Sequence, residues 1–271
     1  MIFDETYTLA NGIKIPKLGL GTWFIEDGKA SDAVKSAVKL GYRLIDTAQA
    51  YGNERGVGEG VRSCGIAREE LFVASKVAAE LKTYEEASKS IDETLEKMGL
   101  DYLDQMIIHS PQPWTEFRVE KRYFEENKEV WGALEDAQKA GKIRVIGVSN
   151  FLKDDLENLL SDCHVKPMVN QILLHISNTD LALVDYCKSQ NILVEAYSPI
   201  AHGEALKNPA ITEMAKNSCS ALHPLRHPAR HRGTSKDCKP GSHGRQCQRR
   251  FRDLRRRYGD SDAHGAYRRL R

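Results

Sequence analysis

Short runs of consecutive apolar residues recur along the first 200 positions, separated by stretches in which apolar residues return every three or four positions. An unbroken run, in place of strict alternation, is typical of a β-strand that is covered on both faces of a parallel sheet. Seven such runs predict strands at residues 18–23, 43–48, 71–77, 105–109, 144–150, 168–173 and 193–200.

Helical patterns fill the gaps between these strands. Thr83 and Glu86 form a capping box ahead of an apolar stripe at spacing four. A second stripe, beginning at Val130, stops at Gly141, a residue suited to close a helix. The remaining helices are predicted at residues 32–41, 53–64, 153–160 and 179–190.

This alternation of strands and helices, with right-handed crossovers, predicts a parallel sheet covered by helices. A doubly wound sheet is the competing architecture, but no GxGxxG motif follows the first strand. The chain has 271 residues, and a (β/α)8 TIM barrel needs about 250. We therefore predict the barrel. Tyr7–Leu9 and Ile13–Ile15 around Asn11-Gly12 predict a β-hairpin on a type I′ turn, capping the barrel's N-terminal end.

The composition excludes several classes of protein. No run approaches the roughly 18 apolar residues of a membrane span. The N-terminus lacks the basic start and apolar run of a signal peptide. Six cysteines occur without a CxxC pair, which argues against a metal site or a disulfide framework. We expect a cytoplasmic protein with no metal and no membrane partner.

Polar residues stand at the ends of three predicted strands, where TIM-barrel enzymes place their reactive groups. Asp46, Lys76 and His109 lie at these ends, and Tyr51 follows the first of them closely. Taken singly, the aspartate could cap a helix, and the histidine and tyrosine could pack in the core. Lys76, however, needs an anion to stay charged beside an apolar strand, and Asp46 on the adjacent strand is the candidate. Together the four predict a proton-transfer site.

Ordered segments at these strand ends resemble the aldo-keto reductase family, in its 2,5-diketogluconate reductase-like branch. They cover residues 1–217 almost without interruption. The segments are Gly19–Trp23, Asp46–Ala48, Tyr51–Glu54, Ser75-Lys76, Ile108–Pro111, Gly147–Phe151, Asn170-Gln171 and Glu195–Pro199.

The resemblance implies reduction of the carbonyl of a small aldehyde or ketone by hydride from NADPH. Tyr51 would be the general acid, Lys76 would lower its pKa, Asp46 would hold Lys76, and His109 would orient the carbonyl. An ammonium at ~4 Å with an effective dielectric of ~20 contributes roughly 4 kcal/mol, or about three pKa units, before desolvation opposes it. We therefore expect Tyr51, whose ordinary pKa is about 10, to be brought into a useful range.

The resemblance also implies an extended cofactor across the barrel mouth, without a Rossmann domain. Ser149, Asn150 and Gln171 would bind the carboxamide, and Tyr197 would stack on the nicotinamide. The remaining residues that it assigns to the cofactor are Thr22, Ser198 and Ile200, the last two at the start of the pyrophosphate track. Trp23 and Trp114 are candidate walls of the substrate pocket, although simple packing at the rim explains them equally well.

The last 54 residues differ in composition from the rest of the chain. Residues 218–271 carry fifteen Lys and Arg against four Asp, a net charge of +11, whereas residues 1–217 carry −9. The segment contains no Glu, Val, Ile or Met, and its composition is typical of disorder. We therefore predict a barrel of seven βα units in residues 1–217 and an aberrant basic tail in 218–271. The family's eighth strand and C-terminal helices would be lost.

A one-base slip of the reading frame explains this change. Skipping the first base of the codons for residues 233–243 permits Val-Leu-Pro-Lys-Thr-Ala-Asn-Pro-Asp-His-Met, which resembles the family's eighth strand and phosphate loop. The slip also turns G-initial codons into arginine codons, which accounts for the excess of arginine. We infer a frameshift between about Lys216 and Leu222; a genuine basic tail is the alternative.

Two other functions remain open. The barrel could be a catalytically impaired or non-catalytic binding protein, although it retains all four catalytic residue types. The tail could bind anionic partners through charge alone, but it lacks the interleaved aromatic residues of a specific nucleic-acid site. We expect a monomer that acts on a small carbonyl substrate.

Overall fold

The computed structural model describes residues 2–217, with side chains described through residue 213. The strands are β1 (Thr6–Thr8), β2 (Lys14–Pro16), β3 (Gly19–Gly21), β4 (Leu44–Asp46), β5 (Phe72–Val77), β6 (Leu103–Ile108), β7 (Ile143–Ser149), β8 (Val169–Leu173) and β9 (Leu193–Tyr197). The helices are α1 (Asp27–Leu40), α2 (Glu54–Ser63), α3 (Tyr84–Met98), α4 (Phe124–Lys139), α5 (Lys153–Leu160), α6 (Leu181–Ser189), α7 (Glu204–Lys207) and α8 (Pro209–Asn217).

Strands β3 to β9 form one parallel sheet in which neighbours in sequence are neighbours in space. A helix follows each strand. Every residue of β5 and β6 is buried, as expected for strands covered on both faces, including their polar residues Ser75, Lys76, Asp104 and Gln105. All seven predicted strands are confirmed, with slightly different ends, and so is the α/β barrel architecture. Two predictions, the loss of the eighth strand and the aberrant basic tail, concern residues 218–271, which lie outside the described residues.

The N-terminal hairpin of β1 and β2 covers the end of the sheet where the parallel strands begin. Leu9 and Ile15 pack in one buried cluster with Phe72 and Met168, which confirms the predicted cap. The predicted type I′ turn is wrong. That turn needs a positive φ at both Asn11 and Gly12, whereas only the glycine has one, at 83°. The loop instead closes through hydrogen bonds from Leu9 N to Ile13 O and from Gly12 N to Leu9 O.

Helix α2 approaches its neighbours closely because its inner face carries glycines. A Cβ at Gly56 would lie 2.0 Å from Asp27 O in α1, and a Cβ at Gly58 would lie 2.1 Å from Met98 O at the end of α3. This packing fixes the start of α2, which begins three residues after Tyr51. No helix in residues 2–217 is long and apolar enough to cross a membrane.

A second compact unit comprises Ile176–Asn178 and, within the described part of the chain, residues 200–217. It contains α7 and α8.

A buried carboxylate ties the strands together near their N-terminal ends. Asp104 in β6 forms an ion pair with Arg68 at 2.7 Å. It accepts hydrogen bonds from Arg144 at 2.7 Å and from the backbone N–H of Val73 at 2.9 Å. Its side chain is 1 % exposed. It therefore neutralises two guanidinium groups and caps a buried N–H.

We expect Asp104→Ala to lower the free energy of unfolding by about 2–4 kcal/mol, because two cations and one buried N–H lose their partner while the arginines keep some access to water. Urea denaturation measures this change. Asp92, in an exposed pair with Lys142, is the matched control, and its alanine variant should cost less than about 1 kcal/mol. Equal effects of the two substitutions would contradict the assignment.

Candidate active site

Lys76 and Asp46 form a buried ion pair at the carboxyl ends of β5 and β4. Lys76 Nζ lies 2.8 and 2.7 Å from the two carboxylate oxygens of Asp46 and donates to Thr47 O at 2.8 Å. Burial disfavours the charge on the ammonium, but Asp46 and the nearby Tyr51 outweigh it, so the pKa of Lys76 is raised. The lysine is therefore held charged and in one place.

Tyr51 ends a short 3-10 turn, Gln49–Tyr51, that follows β4. Its ring centroid lies 5.2 Å from Lys76 Nζ. Asn53 fixes the backbone after the turn, since its buried amide donates to Thr22 O and Ile25 O, both at 2.9 Å. Gly52, with φ of 67°, allows the chain to turn from the 3-10 segment into α2. Tyr51 is thus held over the ammonium by buried contacts on both sides.

The expected pKa of Tyr51 needs a correction. The charge of Lys76 lowers it, as predicted, but burial of the phenol raises it more, and Asp46 adds to the rise. The net pKa of Tyr51 is therefore raised above its ordinary value of 10.0, and the side chain is a neutral phenol near pH 7. The Coulomb contribution of Lys76 follows from residue identity and distance, whereas the opposing desolvation depends on the folded surroundings of the phenol.

His109 follows β6 and is buried beside Tyr51, with ring centroids 5.7 Å apart in an edge-on arrangement. Burial, and then the positive charge of Lys76, lower the pKa of His109 to about 3. Its Nδ1 atom has no hydrogen-bond partner among the described residues. A neutral imidazole can donate one N–H to a carbonyl oxygen. The four predicted catalytic residues therefore meet in one site.

We expect the His109 ring to stay neutral down to about pH 4, because protonation would bury a second cation beside Lys76. Ring-proton NMR, with the signal assigned by a His109→Asn variant, tests this. The unfolded chain binds a proton near pH 6.5, so stability from this group is lost as the pH falls from about 6.5 towards 3. Titration of the assigned signal between pH 6 and 7 would refute the assignment.

A buried carboxylate that the sequence argument left without a role supports the Tyr51 turn. Glu54, at the start of α2, accepts hydrogen bonds from Ser75 Oγ at 2.6 Å and Thr94 Oγ1 at 3.1 Å. Gln49 donates to the same Thr94 hydroxyl and accepts from Ala78 N at 2.8 Å. Burial raises the pKa of Glu54. Glu54 and Ser75 both lie in segments that carry the resemblance to the family, Tyr51–Glu54 and Ser75-Lys76, and this is the signal by which they could have been found.

Polar side chains at the ends of β7 and β8 gather next to His109. Ser149 Oγ donates to Gln171 O at 2.8 Å. Asn150, whose φ is 62°, donates through its amide to His109 O at 3.1 Å and accepts from Tyr197 OH at 2.9 Å. These are the hydroxyl and amide groups that a carboxamide needs as partners. The set therefore fits the polar end of a nicotinamide.

The other predicted cofactor residues are placed as follows. Thr22 is buried, and its hydroxyl donates to Asp46 O at 3.1 Å. Ser198 follows Tyr197 with a φ of 50°. Ile200 belongs to the second compact unit, and its contact with a pyrophosphate stays a prediction.

A second buried carboxylate, also without a role in the sequence argument, lies close to the ion pair. Glu195 in β9 accepts hydrogen bonds from Gln171 Nε2 at 2.9 Å and Gln105 Nε2 at 3.1 Å. Gln171 Nε2 also lies 3.3 Å from Asp46 Oδ1. Burial raises the pKa of Glu195. Gln171 is thereby oriented by two carboxylates.

Aromatic rings surround Tyr51 and His109. The ring centroid of Trp23 lies 6.5 Å from that of Tyr51. The ring centroid of Trp114 lies 5.0 Å from that of His109, in an edge-on contact. Phe24, which is stacked on Trp23 at 4.1 Å and 80 % exposed, extends this surface. Both predicted tryptophans thus lie beside the catalytic pair. The sequence offers one signal for Phe24 as a residue of this surface, namely that it directly follows Trp23.

Comparison with known proteins places this site in a family. The model of the aldo/keto reductase family matches residues 17–268. The chain is 46% identical over 213 residues to glyoxal reductase of Bacillus subtilis, covering 78% of this chain and 73% of that relative. It is 40% identical to the 9,11-endoperoxide prostaglandin H2 reductase of Trypanosoma cruzi, covering 77% of this chain and 71% of that relative.

Solved structures agree. The aldo/keto reductase from Brucella melitensis superposes with a TM-score of 0.72 at 37% identity, covering 79% of this chain and 78% of that one. The Bombyx mori aldo-keto reductase in complex with NADP has a TM-score of 0.64 at 34% identity, covering 72% and 66%. The chain belongs to the aldo-keto reductase family of oxidoreductases.

Proposed function

We propose that this protein reduces the carbonyl group of a small aldehyde or ketone with NADPH, and that Tyr51 is the general acid. The observation that carries the proposal is the buried Lys76–Asp46 pair beneath Tyr51, with His109 on the other side of the phenol. The ammonium of this pair can stabilise negative charge on the phenol or on an oxygen in front of it.

The substrate carbonyl oxygen would lie between the Tyr51 hydroxyl and the neutral His109 ring. Reduced nicotinamide, when bound, supplies the hydride to the carbonyl carbon. As negative charge develops on the oxygen, Tyr51 donates its proton to it. An alkoxide is a far stronger base than a phenolate, so the transfer is favourable although the pKa of Tyr51 is raised. Lys76 then stabilises the phenolate that remains.

Ser149, Asn150 and Gln171 would hold the carboxamide of the cofactor, and Tyr197 would lie against its ring. Gln171 is oriented for this by Asp46 and Glu195, so the cofactor contact and the catalytic pair share one hydrogen-bonded network. NADPH is proposed over NADH because the resemblance implies it and because the Bombyx mori neighbour was solved with NADP.

The aromatic surface favours substrates with an apolar or planar group beside the carbonyl. Trp23, Phe24 and Trp114 give edges and faces for such a group to contact. Small dicarbonyls form a second group to test, because the relative in Bacillus subtilis is a glyoxal reductase.

The test is oxidation of NADPH, followed by its near-ultraviolet absorbance, with glyoxal, methylglyoxal, simple ketones and aromatic aldehydes. The full chain and a version with the reading frame restored after residue 217 would be assayed in parallel. Turnover of one or more aldehydes by the restored protein is expected. Absence of turnover with every carbonyl in both proteins would refute the proposed function.

A further inference from the structure

A buried lysine outside the catalytic set lies next to the active site. Lys82 is 9 % exposed, in the loop between β5 and α3. Its ammonium donates to three carbonyl oxygens: Ser110 O at 3.3 Å, Pro111 O at 3.2 Å and Asn127 Oδ1 at 3.0 Å. Within residues 2–213 it forms no ion pair with a carboxylate. Burying an ammonium costs free energy, and here the dipoles of the three carbonyl groups offset that cost in place of a counter-ion.

Two of these acceptors belong to the residues that directly follow His109. They begin the segment 110–123, which we name the β6–α4 loop because it joins those two elements. Asn127, in the first turns of α4, also donates to Pro111 O at 3.0 Å. The ammonium therefore joins the start of the loop to the helix into which the loop leads.

A second contact from the β5–α3 segment reaches the same loop. Glu80 accepts a hydrogen bond from Trp114 N at 3.4 Å. The Trp114 ring meets the His109 ring at an interplanar angle of 88°. The rest of the loop is tied by Gln112, whose amide donates to Val119 O at 2.9 Å and Lys121 O at 2.6 Å. The position of Trp114 is thus set from residues 80 and 82.

We propose that Lys82 is a positioning residue: its protonated side chain holds the β6–α4 loop so that Trp114 forms a wall of the substrate site, and loss of the proton loosens that wall. The proposal deepens the proposed function and rests on it for its kinetic arm. A neutral amine has two N–H groups in place of three, so one of the three carbonyl oxygens then loses its donor.

The charges around Lys82 place this change close to neutral pH. Burial lowers the pKa of Lys82 to about 8. The carboxylates of Glu80 in the same segment, Glu126 in α4 and Asp155 in α5 oppose this fall. Asp155 is itself paired with Arg122. Two further titratable groups pack here. The Lys121 ammonium lies 4.2 Å from the centroid of the Tyr123 ring, and the same phenol ring lies 5.4 Å from the Lys82 ammonium.

Lys82→Met removes the charge and keeps a side chain of similar length. We expect the KM for an aromatic aldehyde to rise about 10-fold, because a shift of about 1 Å in a group that positions the substrate can lower the rate up to 10²-fold. The affinity for NADPH should stay unchanged. The decline of kcat/KM above about pH 8 should disappear, because the titrating group is gone. Lys89→Met, on the exposed face of α3, is the matched control and should leave KM and the pH profile as they are.

A second variant guards against simple misfolding. Asn127→Asp places a carboxylate where the amide oxygen now contacts Lys82, so the decline should move to higher pH. A decline at the same pH in both variants overturns the proposal.

An arm without catalysis separates this proposal from the proposed function. The emission of Trp114, taken as the difference between the full chain and Trp114→Phe, should change with a midpoint near pH 8 and lose that transition in Lys82→Met. If no carbonyl is turned over but this transition is present and depends on Lys82, the proposed function fails and the positioning role stands. A missing transition, or one that persists in Lys82→Met, overturns the role of Lys82.

Discussion

Replacing Tyr51 with phenylalanine should lower kcat by about 10²–10⁴, the usual contribution of a general acid. The phenyl ring of the variant would still fill the place of the Tyr51 ring over Lys76 and beside His109, so binding of NADPH and the fold should change little. The loss falls on kcat because the missing proton is needed only once charge develops on the carbonyl oxygen. Steady-state kinetics with the best aldehyde of the panel, together with a cofactor titration, measures both quantities.

Tyr84→Phe is the matched control for this variant. Its hydroxyl is exposed and donates to Asp136 at 2.8 Å on the outer face of the helices, so its loss should leave kcat within about a factor of two. Near-normal kcat in Tyr51→Phe would remove Tyr51 from the mechanism, and an equal loss in Tyr84→Phe would show that the effect is not local.

Much of the fold was predictable because parallel strands buried on both faces leave an unambiguous pattern. Runs such as residues 71–74 are apolar throughout, and helix starts such as Thr83 carry their capping residue, whose hydroxyl does accept from Glu86 N. The hairpin turn was not predictable in detail. Asn11-Gly12 can occupy the two central positions of a two-residue turn or the last two positions of a three-residue loop, and the choice depends on the register of the flanking strands.

The catalytic residues were predictable for a related reason. Strand ends meet at one edge of a parallel barrel, so Asp46, Lys76 and His109 had to converge once the strands were placed. The supporting residues were not. Glu195 interrupts an apolar run, a pattern that indicates burial but does not reveal the partner, whereas Lys82 lies in a polar segment that gives no sign of burial. The hydrogen-bond partners of both come from residues that are distant in sequence, such as Gln105 and Asn127.

The pKa of Tyr51 is raised, although the sequence predicted that it would be lowered, because it too depends on residues that are distant in sequence. A charge–charge contribution can be written from the identity of two residues and a plausible distance. Desolvation depends on everything that surrounds the phenol, which here includes residues from several strand ends, and it exceeds the effect of Lys76. For a site enclosed in this way, the direction of a pKa shift follows only from the assembled structure.

We propose that the unusual composition of residues 218–271 results from a shifted reading frame. The family match runs to residue 268, while the glyoxal reductase of Bacillus subtilis aligns with 78% of the chain. Read one base later, residues 233–243 permit a Leu-Pro-Lys sequence that resembles the phosphate loop of the family. In the frame as given, Lys236 follows Gly233-Thr234-Ser235, so the Val-Leu-Pro sequence that leads into the loop is absent. Sequencing of the gene between codons 216 and 222 decides whether the shift is present.

Restoring the frame should therefore strengthen NADPH binding. One regained contact between a lysine and the 2′-phosphate contributes about 1.5–3 kcal/mol, which corresponds to about 10- to 100-fold in Kd. Titration of NADPH fluorescence with both proteins measures this ratio. NADH, which lacks the 2′-phosphate, is the control, and its Kd should improve less than that of NADPH because only the contributions shared by both cofactors are regained. Equal affinities of the two proteins for NADPH, or micromolar binding by the chain as given, would contradict the predicted loss of the phosphate loop, since residues 218–271 would then supply the contacts that the phosphate needs.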